Sequence, residues 1–166
     1  MLDLVTGKSL ETIRSSVRLG NSALWLMFLP LVVSLCATGC STFDRDWKAA
    51  AATTVPVNDI SGCWQGTWRS DVNGHTDKLR CLVARQSETN YTARFHAKYH
   101  KILSFGYTVN LAVKESGEMF HFQGEANLGK LAGGIYDYVG EASATNFFST
   151  YRCKYDHGIF QMARPE

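Results

Sequence analysis

The sequence has little proline, little net charge and, past residue 60, no stretch with helical periodicity. Three prolines against 14 glycines suit a chain of many tight turns. The formal charge is +2. With the leader residues Lys8, Arg14, Arg18, Asp3 and Glu11 set aside, 14 Lys/Arg face 13 Asp/Glu. No basic stripe stands out, which argues against nucleic acid as a partner. No Gly-rich loop follows a strand and opens a helix, so GGIYDYVG at 133–140 is not a phosphate cradle. No Ser/His/Asp set has a supporting motif. Glu125, Asp137 and Glu141 have no spacing that demands a carboxylate pair. The expectation is a chain with no catalytic residues, no metal, no cofactor and no enzymatic activity.

What is present begins with a leader. Residues 1–21 carry the basic residues named above, and SALWLMFLPLVVSLCATGC then runs to Cys40. The apolar run from Ala23 to Ala37 is about 15 residues and contains Pro30, whereas a spanning helix needs about 20. A basic leader, a short apolar core and small residues before a break have the form of a secretory signal. An uncleaved anchor helix is the alternative. Residues 41–58, STFDRDWKAAAATTVPVN, show no sustained period and suit a tether. Trp47 is the exception there, either a membrane-interface anchor or a side chain that packs back on the domain.

From Ile60 onward the hydrophobic period is two, repeatedly. Strands are expected at about 61–70, 77–85, 91–99, 105–113, 118–124, 134–140, 147–154 and 158–164. The third is the clearest, with Tyr91, Ala93, Phe95, Ala97 and Tyr99 alternating with Thr92, Arg94, His96 and Lys98. Asn73-Gly74, Ser116-Gly117 and Asp156-His157-Gly158 are hairpin signals. Eight short strands with short links predict an all-β fold: an eight-stranded antiparallel up-and-down barrel, closed so that no edge is exposed. An open sandwich is the alternative. The expected division is a signal segment 1–39, a tether 40–58 that begins at Cys40, and a barrel 59–166.

Two motifs resemble known families. Ala37-Thr38-Gly39-Cys40-Ser41 resembles a bacterial lipobox, with Ala37 where Leu is more usual. The resemblance implies lipidation of Cys40, a membrane partner reached through that anchor, and outer-membrane sorting because Ser41 rather than Asp follows. It therefore places the domain in the cell envelope, periplasmic or surface-exposed. Gly62-Cys63-Trp64 resembles the G-x-W that opens the first strand of lipocalins and their calycin relatives. That resemblance implies Trp64 at the base of the barrel with a cation from the last strand across it, here Arg164. The domain 59–166 is shorter than a typical lipocalin, with no T-D-Y motif and no helix expected after the last strand. It therefore looks lipocalin-like in the broad sense.

Strand phase sorts the remaining residues. With Trp64 inward, Cys63 faces outward. Cys81 and Cys153 share the inward phase of strands whose hairpins meet at one end, which favours a Cys81–Cys153 disulfide in the exported protein; free buried thiols are the alternative. His96 and His100 lie about 13 Å apart on a strand, too far to share an ion, and are expected to face solvent. His75, Asp77, Asp156 and His157 belong to hairpins at one end, where turn chemistry explains them better than a metal does.

The interior is the candidate site. Trp68, Tyr99, Tyr107, Tyr136 and Tyr151 fall on the inward phase and are the residues expected to touch a small apolar ligand. An eight-stranded barrel either holds one such ligand or is filled by its own side chains. A filled barrel would leave an interaction or inhibitor module acting on an envelope protein. Small lipoprotein barrels that inhibit lysozyme have a similar layout.

Overall fold

Alternation of apolar and polar residues produces eight strands: β1 Gly62–Ser70, β2 Thr76–Arg85, β3 Asn90–Tyr99, β4 Leu103–Ser116, β5 Met119–Asn127, β6 Ile135–Ala142, β7 Asn146–Arg152 and β8 His157–Ala163. A computed structural model describes residues 42–54, 58–100 and 103–166, which belong to one unit, Ala37–Glu166. The expected signal segment 1–39 and Cys40 lie outside the described residues. Among the described residues no helix is long and apolar enough to cross a membrane.

Each strand pairs antiparallel with its sequence neighbour, and β1 pairs with β8, so the sheet closes into an up-and-down barrel. The fold is the one expected from the period-two pattern. The G-x-W glycine has a backbone reason. Gly62 has φ +105°, a region that only glycine enters without strain. Gly66 serves the seam, where a Cβ would stand 2.0 Å from the Gln161 carbonyl oxygen. Without that side chain β1 can approach β8 closely enough to close.

The seam between β4 and β5 is incomplete. β4 pairs with β3 from Leu103 onward, but its ladder to β5 begins only at Asn110. At that same end, past Glu125, β5 leaves β4 and continues with β6, as Ala126 pairs with Tyr136 and Asn127 with Ile135. Within the closed barrel, residues 103–109 therefore pair only on the β3 side, next to the mouth.

The expected tether is corrected in its middle. Residues 42–51 are helical (α1) and lie on the outer face of β2 and β3. Phe43 is 4% exposed, stacks on His96 at 4.9 Å, and meets Trp47 one turn on at 5.7 Å. The Arg80 guanidinium lies 5.1 Å from the Phe43 ring centre and 5.3 Å from that of Trp47. Asp44 pairs with Arg80 at 2.8 Å and Asp46 with Arg94 at 2.7 Å. His96 was expected in solvent and is instead buried beneath Phe43, because α1 supplies the apolar cover that the strand alone lacks.

Candidate functional site

The two ends of the barrel are built differently. At the base Trp64 is fully buried and packs on Phe147 at 5.5 Å, which in turn meets Phe122 at 4.7 Å. The indole nitrogen of Trp64 donates to the Ile60 carbonyl at 2.8 Å. The Arg164 guanidinium lies 3.8 Å from the Trp64 ring centre, and its nitrogens donate to the carbonyls of Ser61 at 2.7 Å and Asp59 at 3.0 Å. Burial lowers the Arg164 pKa from its usual value, while the Asp59 charge works against that shift. Asp59 is itself buried and accepts from the Ser61 amide at 2.9 Å. The end is filled by packed side chains, and its named polar groups are hydrogen-bonded.

Above a floor that includes Phe160, the barrel is hollow. A cavity of about 460 Å³ is walled by Trp68, Leu79, Ala97, Tyr99, Phe105, Tyr107, Tyr136, Tyr138 and Tyr151, with Leu128 and Ala132 from the β5–β6 connection and Asp156 from the β7–β8 turn. All five residues expected at the ligand site, Trp68, Tyr99, Tyr107, Tyr136 and Tyr151, line it. The volume falls within the range of small-molecule sites, about 300–1,000 Å³. The rings form a continuous wall: Phe95 stacks on Tyr107 at 5.2 Å, Tyr107 lies 6.2 Å from Tyr138, and Tyr151 lies 5.1 Å from Phe160. Phe105 is 46% exposed and stands on the stretch of β4 that pairs only with β3, so the cavity reaches the incomplete seam as well as the mouth.

The polar groups of this wall are ordered by hydrogen bonds. The Trp68 indole nitrogen donates to the Lys98 carbonyl at 2.9 Å. The Tyr107 and Tyr138 side chains interact with each other, and Tyr136 with Cys153. The Tyr151 hydroxyl donates to Asp156 at 3.1 Å, and Ser70 donates to the other oxygen of that carboxylate at 2.6 Å. Burial pushes the phenols of Tyr107, Tyr136, Tyr138 and Tyr151 well above their usual range, so each stays a neutral donor at physiological pH. At the rim Trp68, His75, Tyr99 and His100 form a ring cluster, with His75 4.7 Å from Tyr99 and 4.6 Å from His100. His100 has φ +51°, and the buried Nε2 of His75 has no hydrogen-bond partner among the described residues.

The Cys81–Cys153 disulfide is a correction: both residues are free, as is Cys63. Cys81 sits five residues into β2, paired with Trp64 and Phe95, deep in the packed half. Cys153 lies beyond the end of β7, against Tyr136. Strand phase was shared but depth was not. Cys63 does face out of the barrel, but α1 covers it, and its sulfur lies 3.5 Å from the Trp47 carbonyl oxygen. Burial pushes the Cys63 and Cys81 thiols above their usual pKa, which makes both poor nucleophiles. The hairpin residues Asp156 and His75 are drawn to different partners, Ser70 and Tyr151 for one and the rim rings for the other.

No protein-family model matches the chain, and no curated protein does. Among solved structures the chain is similar to a point mutant of the fluorescent protein UnaG, at 11% identity and a TM-score of 0.37, over 64% of this chain and 96% of that one. A likeness of that size carries no argument about function, and the reading of the site rests on its own geometry.

Proposed function

We propose that this chain is an envelope lipoprotein that holds a small, largely apolar molecule in the mouth half of its barrel and performs no chemistry on it. The observation that carries the binding reading is the cavity of about 460 Å³ with its aromatic wall. A barrel filled by its own side chains, as an inhibitor or interaction module would use, leaves no such space. The neutral, buried phenols and buried thiols supply no base or nucleophile poised at physiological pH. The anchor at Cys40 and the outer-membrane location rest on the leader and on Ala37-Thr38-Gly39-Cys40. Several acyl chains on one residue would hold the barrel stably, since a single chain gives only marginal binding.

Native mass spectrometry of the purified chain tests the binding reading. A small molecule that leaves on denaturation is the expected result. A bare mass, together with no saturable uptake of an apolar fluorophore, overturns it. Metabolic labelling with palmitate tests the anchor: Cys40→Ser is expected to abolish the label, and equal labelling of both chains overturns it.

A further inference from the structure

The cavity wall is electrically one-sided. Among the described residues that line it, Asp156 alone carries a charge, and no described residue forms an ion pair with it. Its position is fixed from inside the protein. Ser70, which is buried, holds one carboxylate oxygen at 2.6 Å, and the buried Tyr151 holds the other at 3.1 Å. Each oxygen keeps a second acceptor site, because a carboxylate accepts up to about four hydrogen bonds. A half-buried carboxylate held by two neutral donors is a charge awaiting a counter-charge.

The rest of the wall reinforces that sign. Aromatic rings carry negative faces that attract cations. Trp68, Tyr99, Tyr107, Tyr136, Tyr138 and Tyr151 line the same cavity as Asp156. An anionic head group would meet a carboxylate and ring faces, with no Lys or Arg among the described wall residues to receive it. A neutral apolar ligand would fit but would leave Asp156 uncompensated. A cation would gain both the carboxylate and the rings.

We propose that the ligand of this cavity is a cation, an amine or quaternary ammonium on an apolar body, with its nitrogen against Asp156 between Ser70 and Tyr151 and its apolar part against Tyr107, Tyr138 and Phe160. This assignment rests on the reading of the cavity as a ligand site. It narrows that reading from any apolar molecule to one of a single charge. Asp156 is the specificity-determining residue, and Ser70 and Tyr151 position it.

The test uses three probes with the same ring system and different heads: naphthylmethylammonium, naphthalenemethanol and naphthoate. Each is titrated calorimetrically into the full chain at neutral pH. The ammonium is expected to bind about tenfold tighter than the alcohol, the scale of a charge-assisted hydrogen bond, and naphthoate weakest. Asp156→Asn is expected to remove the ammonium's advantage and leave the alcohol within about twofold. If the alcohol or naphthoate binds as well as the ammonium, the cation assignment is overturned and the cavity reading survives. If none of the three binds, both fall together. A loss shared equally by all three probes in Asp156→Asn would mark that residue as structural and also overturn the assignment. The ranking on the unaltered chain decides by itself if the variant does not fold.

Discussion

The base and the mouth of this barrel use the same strands for opposite ends. At the base every ring has a neighbour and every buried polar group a partner, as with Trp64, Arg164 and Asp59. At the mouth the rings line a space, and a carboxylate stands among them with no ion-pair partner among the described residues. The same residue types therefore do different work at different depths. A tryptophan at position 64 is core, and one at position 68, four residues along the same strand, is wall. Aromatic content alone does not separate stability from binding; the completeness of the packing around each ring does.

That contrast can be broken at either end. The largest effect is expected from Trp64→Ala, since truncating a fully buried aromatic costs about 3–5 kcal/mol. Chemical denaturation should show that loss, and probe binding should fail only as the fold does. The reverse pattern is expected for Ala97→Trp. Ala97 is buried yet borders the cavity, so a new indole would enter open space. Probe binding should disappear while unfolding stability stays within about 1 kcal/mol of the parent. A large destabilisation from that change would mean the mouth is packed as tightly as the base.

The smallest effect concerns α1. Burial lowers the His96 pKa, with Arg80 and Lys98 adding to the shift and Asp44 opposing it. The docked state thus favours neutral His96, and its contribution is present above the ordinary histidine pKa of about 6.5. It is lost as pH falls through the lowered pKa of the docked state. Asp46, held below its usual pKa chiefly by its hydrogen bond to Arg94, has the same sign at a more acidic range. Once corrected for the intrinsic pH dependence of exchange, amide protection over residues 42–51 should therefore fall below about pH 6.5 while protection in β1–β8 holds steady. A barrel that loosens at the same pH would show that α1 is integral to the core.

The sequence made much of this legible where alternation was clean. β3 could be read residue by residue, and the five expected wall residues line one cavity. Three features were hidden, each for a physical reason. α1 is short, and Phe43 and Trp47 make a single apolar pair whose meaning depends on Arg80 and His96 from strands far along the chain. The gap between β4 and β5 depends on where two ladders part, which hydropathy does not record. Asp156 lies in a hairpin turn, where aspartate has a sufficient local explanation, so its inward role is invisible until Ser70 and Tyr151 are placed. The spacing of hydroxyls around it was the one available hint.

The Arg164 clasp also has a consequence in time. Its hydrogen bond to Ser61 joins residues 103 positions apart, so the first strand cannot be locked until residue 164 has been made. Contacts of such long sequence separation fold slowly, because the loop must close before the contact rewards it. Until then the Trp64 ring lacks the guanidinium that lies across it. Removing residues 164–166 would take away that cover and leave the β1–β8 ladder, Gln65–Ala163 to Ser70–Gly158, in place.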